Sequence, residues 1–234
     1  MARTWPASSK AAFEPRDAAA AIMAAMTTHQ PRAAAMPQTD PVRKKYREKA
    51  LRAARGLAQD RARFGFADDS SGRRYRIGVY FLLAGDLPRA VEAFEQFDIE
   101  FPDDVGEPVF LLYSALAAHR NGEAGKARTR LLDAMLGNLH LLPHLFDAQF
   151  DATGIWFCSD CAGKDHLQEV DEFLHEPSAQ ERQWMQTEWN SPGFTRLRDG
   201  YVRVYSALSH ERDAGQRGRL LDQWNALYAA GLID

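Results

Sequence analysis

The chain has 234 residues, 45% of them hydrophobic, and a formal net charge of −3. That size allows one sizeable core, or one core plus a loose end. The near-neutral balance argues against general nucleic-acid binding, which needs a strong basic excess or stripe. No run approaches the roughly 20 apolar residues that a membrane-spanning helix requires, and two cysteines make no disulfide framework.

Residues 1–40 are rich in Ala, Pro, Ser and Thr and are expected to form a mobile end. Within them DAAAAIMAAMTTHQ predicts a short helix, with Asp17 as cap or first-turn acid. Glu14 and Asp17 closely precede the apolar run. A secretory signal has a basic end there, so a cytoplasmic location is expected. A single helical domain is expected over 41–234.

From Pro41 to about Gly65 the pattern is a long basic helix. Asp40 caps it and Pro41 fits its first turn. Val42 to Gly65 carries nine Lys or Arg against two acids. Tyr46, Leu51, Ala54 and Leu57 make a thin apolar stripe. A solvated helix packed along one edge is the expected role, with a dedicated anion-binding surface as the alternative.

Asp68 to Gly72 reads as a loop and helix start. RRYRIGVYFLLAG then predicts a helix buried on most sides, ended by Gly85 where a left-handed backbone is cheap. LPRAVEAFEQFDIEF predicts the return helix, with Pro88 in its first turn and Pro102 as its stop. Gly78 and Ala90 are small enough to let the two backbones approach, with Phe81 and Phe94 filling the space beside them. The same pattern returns 37 residues later, where Ala115, Gly122, Ala127 and Leu131 stand for Gly78, Gly85, Ala90 and Phe94. A fixed period of this size marks a stacked helical array.

These residues resemble the tetratricopeptide repeat, in repeats of about 73–102 and 109–139. Ile77, Gly78, Phe81, Gly85, Ala90, Phe94 and Pro102 carry the likeness in the first. Phe97 stands where that family prefers alanine, and Leu139 stands where the second repeat would have its proline. A narrower likeness covers about 65–205. It rests on Asp69, Gly72 and Arg73, on Asn138, His140, Pro143 and Leu145, and on Trp189, Ser191, Pro192 and Gly193. These resemble bacterial tetratricopeptide-like proteins related to the suppressor-of-tumorigenicity-seven family. The resemblance implies an all-α fold: tetratricopeptide-like helix–turn–helix repeats in a right-handed array with flanking N- and C-terminal helices. It implies scaffold character and brings no active site with it.

The C-terminal helices are expected over about 163–231. AGKDHLQEVDEFLHEPS reads as one amphipathic helix through Leu167, Val170, Phe173 and Leu174. SAQERQWMQTEWN and SPGFTRLRDGYVRVYSAL follow. Leu220, Leu221, Trp224, Leu227 and Tyr228 give the last helix a stripe expected to seal one end of the array.

The chemistry-bearing motifs are few. Cys158, Cys161 and His166 have a spacing zinc would accept, with His140, His144 or His175 as a fourth ligand. Ordinary thiols at a loop–helix junction, with Ser159 or Asp160 capping, are the expected reading. His140 and His144 would share a helix face, but Pro143 argues for loop histidines instead. No phosphate loop or catalytic motif is present, so a non-enzymatic protein without cofactor is expected.

In tetratricopeptide arrays the first helix of each unit lines a groove. Tyr75, Arg76, Val79 and Leu82 from the first unit are therefore expected to meet Leu112, Leu116 and His119 from the second. Arg120 and Asn121 would add contacts to a peptide carboxylate or backbone. The competing reading is that the chain's own terminal helices cover these positions. The expected function is a protein- or peptide-binding scaffold or adaptor. One alternative is a metal- or small-molecule-binding protein centred on Cys158, Cys161 and His166. Another is a chaperone or immunity-type partner of one client. Self-association through the aromatic C-terminal helix is a further partner reading; nucleic acid and membrane are not expected.

Overall fold

The computed structural model describes residues 41–66, 69, 72–146, 148, 150, 155, 159–174 and 177–232. The short helix expected before Pro41, Cys158 and His175 lie outside them. Every regular element among the described residues is helical. None of these helices is long and apolar enough to cross a membrane.

The first helix, α1 (Pro41–Phe64), carries Arg61 and Arg63 in its last turn, where cations complement the helix dipole. Only Ala50 and Leu57 are buried along it, so one narrow edge attaches it to the core. It packs on α2 (Arg73–Leu83), which packs in turn on α3 (Leu87–Glu100) and α4 (Pro108–Arg120). α2 begins at Gly72, whose φ of 63° favours glycine. Its free N–H groups are satisfied from upstream. The buried Asp69 carboxylate accepts from the backbone N–H of Arg73 at 2.5 Å and of Arg74 at 2.9 Å. Asp69 and Gly72 thus do the capping that the helix-start reading of this stretch required.

The two hairpin turns close identically. Gly85 N–H donates to Leu82 O and Asp86 N–H to Phe81 O, each at 2.9 Å. In the second turn Gly122 N–H donates to His119 O and Glu123 N–H to Ala118 O. Both glycines have positive φ, 74° and 81°, so both turns are Schellman closures of the preceding helix.

Within the first hairpin the backbones approach at Gly78. A Cβ there would sit 2.8 Å from two ring carbons of Phe94, itself 2% exposed. Gly78→Val is therefore expected to destabilise the protein by about 2–3 kcal/mol through overpacking. Urea denaturation checks this; an unchanged midpoint would mean the hairpin parts at no cost.

Phe97 is not a misfit. It lies 4.4 Å from Phe110, 5.6 Å from Tyr75 and 5.4 Å from Phe101, ring centroid to ring centroid. Its bulk fills the junction between the first hairpin and α4, where its ring packs tilted against three others and adds buried aromatic area. The α4 helix is buried from Pro108 to Ala118. It is the central rod of the core, covered by α2, α3, α5 (Ala124–Gly137) and the segments that follow.

After α5 comes α6 (Leu141–Leu145), a five-residue helix containing Pro143. Loop histidines were expected here. Pro143 is tolerated because it stands at the third helical position, where the backbone N–H has no intrahelical partner anyway. A 3₁₀ turn (Asp160–Ala162) is capped by Ser159, whose hydroxyl accepts from Cys161 N–H. The single amphipathic helix expected over 162–178 is instead two short pieces, α7 (His166–Glu169) and α8 (Asp171–Leu174). Val170 breaks them with φ −109° and ψ 8°. Tertiary contacts set this geometry: Leu167 and Leu174 are buried, and Tyr113 donates its hydroxyl proton to Phe173 O at 2.7 Å.

The helix α9 (Ala179–Trp189) opens with a reciprocal capping box between Ser178 and Glu181. The Trp189–Gly193 stretch joins it to α10 (Pro192–His210). Ser191 caps with its hydroxyl, Pro192 takes the first turn, and Arg198 donates to Trp189 O at 2.9 Å.

The last helix, α11 (Ala214–Ala229), lies on α10 at Gly200, where a Cβ would fall 2.1 Å from Leu227 Cδ2. It is more open than its stripe implied. Trp224 is its only buried residue, and Leu221 and Tyr228 are exposed. One edge of the helix, with Tyr228 bonded to Asp133 at 2.6 Å, suffices to hold it.

Candidate functional site: a basic cleft between α1 and α2

The residues expected to line a groove have separate fates. Val79, Leu82, Leu112 and Leu116 are core side chains, each 4% exposed or less. Tyr75 packs against Phe97 and Phe110 and donates its hydroxyl proton to the Asp104 carboxylate at 2.8 Å. Burial first, then that hydrogen bond, pushes its phenol above the ordinary range. His119 stacks flat on Trp184 of α9, with centroids 4.1 Å apart and planes 14° apart. Arg120 grips Glu181 of α9 with two donors, at 2.6 and 3.1 Å. Asn121 is exposed and bonds Glu123 beside it. Helix α9, from the chain's own C-terminal part, thus covers His119 and Arg120. Of the nine, Arg76 and Asn121 present open surface.

Arg76 belongs to a different feature. The seam between α1 and α2 opens into a cleft of about 650 Å³. Lys49, Arg52 and Arg55 line it from α1, and Arg73 and Arg76 from α2. Tyr80, Ala53, Gly56 and Gln59 complete the wall. The α1 cations recur every three residues, so helical geometry sets them on one side.

Their environment differs from that of cations at three other helix contacts. There a cation on one helix faces an acid on another: Arg61 of α1 with Glu100 of α3, Arg130 of α5 with Asp98 of α3, and Arg128 of α5 with Glu188 of α9. At the α1–α2 seam Arg73 pairs with Asp60, and Arg47 of α1 reaches Asp86 in the turn after α2. Lys49, Arg52, Arg55 and Arg76 have no carboxylate within ion-pair distance among the described residues. Lys49 instead rests its ammonium 5.0 and 5.3 Å from the ring centroids of Tyr46 and Tyr80, a cation–π arrangement. Arg55 Nε donates to Leu51 O at 3.1 Å. Arg76 exerts only a longer-range pull on Glu107. Gathering like charges raises the local potential and attracts anions.

Gly56 shapes one end of the cleft. With no side chain, it lets the Arg73 guanidinium lie across α1; a Cβ there would come within 2.7 Å of Arg73 Nη1. The sequence carried a signal for this site in Lys49, Arg52, Gly56 and Gln59 at i, i+3, i+7 and i+10. The missing half was which helix would lie opposite.

The cysteine–histidine segment is arranged differently. Burial, together with nearby carboxylates, pushes the Cys161 thiol up despite its bond to Ser159, so it keeps its proton. His166 Nδ1 lies 3.2 Å from Glu169. His140 faces Phe150, and His144 lies 3.9 Å from Asp171. Among the described residues no group of three or more His, Cys, Asp or Glu is placed to hold a metal ion.

No family model matches the chain, and neither does any curated protein or any solved structure.

Proposed function

We propose that this chain is a non-enzymatic, tetratricopeptide-like module that binds a protein or peptide partner. Its recognition surface is the basic cleft between α1 and α2. The observation that carries the reading is four cations there, Lys49, Arg52, Arg55 and Arg76, with no carboxylate within ion-pair distance among the described residues, whereas Arg61, Arg128 and Arg130 each meet an acid on another helix. The repeat reading draws support from the two identical turn closures 37 residues apart and from α2 packing on both α3 and α4. Consecutive hairpins in a stacked array make such contacts. A dedicated chaperone or immunity-type role toward one client protein is one form this partnership would take.

The test is photo-crosslinking in native cell extract. A photo-reactive amino acid is placed at Gln59 on the cleft rim and, separately, at Leu221 on α11. One dominant protein adduct from position 59, absent from position 221, is the expected result. Adducts only from position 221, or none from either, would move the interface or remove it.

A further inference from the structure

Resting on that reading of the cleft, we infer that it takes an extended acidic segment of a partner protein, about five residues long. Lys49 to Gln59 is ten residue steps along α1, about 15 Å at the helical rise. An extended chain rises about 3.3 Å per residue, so roughly five residues cover that length. Tyr80 lies by Lys49 and Arg73 by Gly56. This antiparallel register places Arg76 across from Ala53, midway along the strip. Cations therefore reach a bound segment from both walls.

An extended segment carrying acids at alternate residues turns one row of carboxylates toward the cleft. Guanidinium groups meet carboxylates with paired, charge-assisted hydrogen bonds. The Tyr80 wall and the stems of Lys49 and Arg52 supply apolar contact beneath. A nucleic acid fits less well. The strip is short, Asp60 and Asp86 stand toward its two ends, and the chain is net negative. Backbone recognition of a polynucleotide draws on a longer run of phosphate contacts.

Fluorescence anisotropy tests this on the full chain. The probe is a labelled ten-residue peptide alternating Glu and Ser; the control peptide alternates Gln and Ser. The expected result is saturable one-to-one binding of the acidic peptide, weakening as salt rises, and none of the control. Arg52→Gln/Arg76→Gln, which disturbs no ion pair among the described residues, is expected to weaken it at least tenfold with melting unchanged. Equal binding of the control peptide would overturn the inference. So would full affinity in the double variant, or tighter binding of a single-stranded oligonucleotide. If the position-59 protein adduct forms while the acidic peptide fails to bind, only this inference falls. If that adduct is absent, the underlying reading falls with it.

Discussion

Asn138→Ala is expected to destabilise the protein by about 4 kcal/mol, since each buried polar group left unpaired costs about 1–3 kcal/mol. Asn138 is 1% exposed and ends α5. Its amide nitrogen donates to Cys161 O at 2.8 Å and Gly163 O at 3.0 Å, and its amide oxygen accepts from His140 N–H at 2.9 Å. One side chain thus joins α5, the start of α6 and the 3₁₀ turn. Alanine leaves two carbonyls and one N–H without those partners and opens a small void. At this chain length a loss of that size lowers Tm by about 8–16 °C. Asn138→Asp keeps the acceptor for His140 but replaces the donor with charge facing two carbonyls, so it is expected to fail as well. Hydrogen exchange should locate the damage, with amides of 159–163 exchanging faster in both variants. A melt matching the parent would show that the turn is held by other contacts.

Arg120→Ala is the second large effect, expected at about 3 kcal/mol, the lower part of the range for breaking a buried ion pair. The lower part applies because the Arg120 side chain is 26% exposed, while Glu181 is 8% exposed. Burial works against an ionised Glu181. Arg120 and the Ser178 backbone N–H more than offset it, and the carboxyl is held below the ordinary range. A carboxyl that titrates lower in the folded chain than in the unfolded one stabilises the fold above the unfolded value. That contribution is lost as pH falls through the folded value. In Arg120→Ala only burial and the cap remain, and protonation relieves the stranded charge. The stability gap between parent and variant is therefore expected to narrow between pH 7 and about pH 4. Urea denaturation at both pH values measures it; a gap independent of pH would assign the loss to packing of the Arg120 stem rather than to charge.

Much of this architecture is written in short stretches. Gly85 and Gly122 end their helices because a left-handed residue closes a helix at low cost, and that need is visible in any window of ten residues. Pro41 in α1, Ser191 with Pro192 in α10, and the small residue Gly78 facing Phe94 are legible for the same reason. Each is a requirement of one backbone segment, or of two segments joined by a tight turn.

The site was legible only in part. The cation spacing on α1 is local, but its meaning depends on α2 presenting Arg73 and Arg76 across the seam rather than acids. The groove expected from Leu112 and Leu116 was lost for a related reason. An apolar helix face does not say what will cover it, and Trp184 and Glu181, which take up the neighbouring His119 and Arg120, come from far along the chain. The break at Val170 and the short helix through Pro143 likewise follow from docking against the core, which overrides local periodicity in segments too short to hold their own helix. Turns, caps and helix ends follow from dihedral preference and i, i+3, i+4 spacing, so the chain encodes them residue by residue. Which faces meet, which charges find partners and which remain open depend on burial and pairing summed over the whole fold. Only the assembled helices decide those.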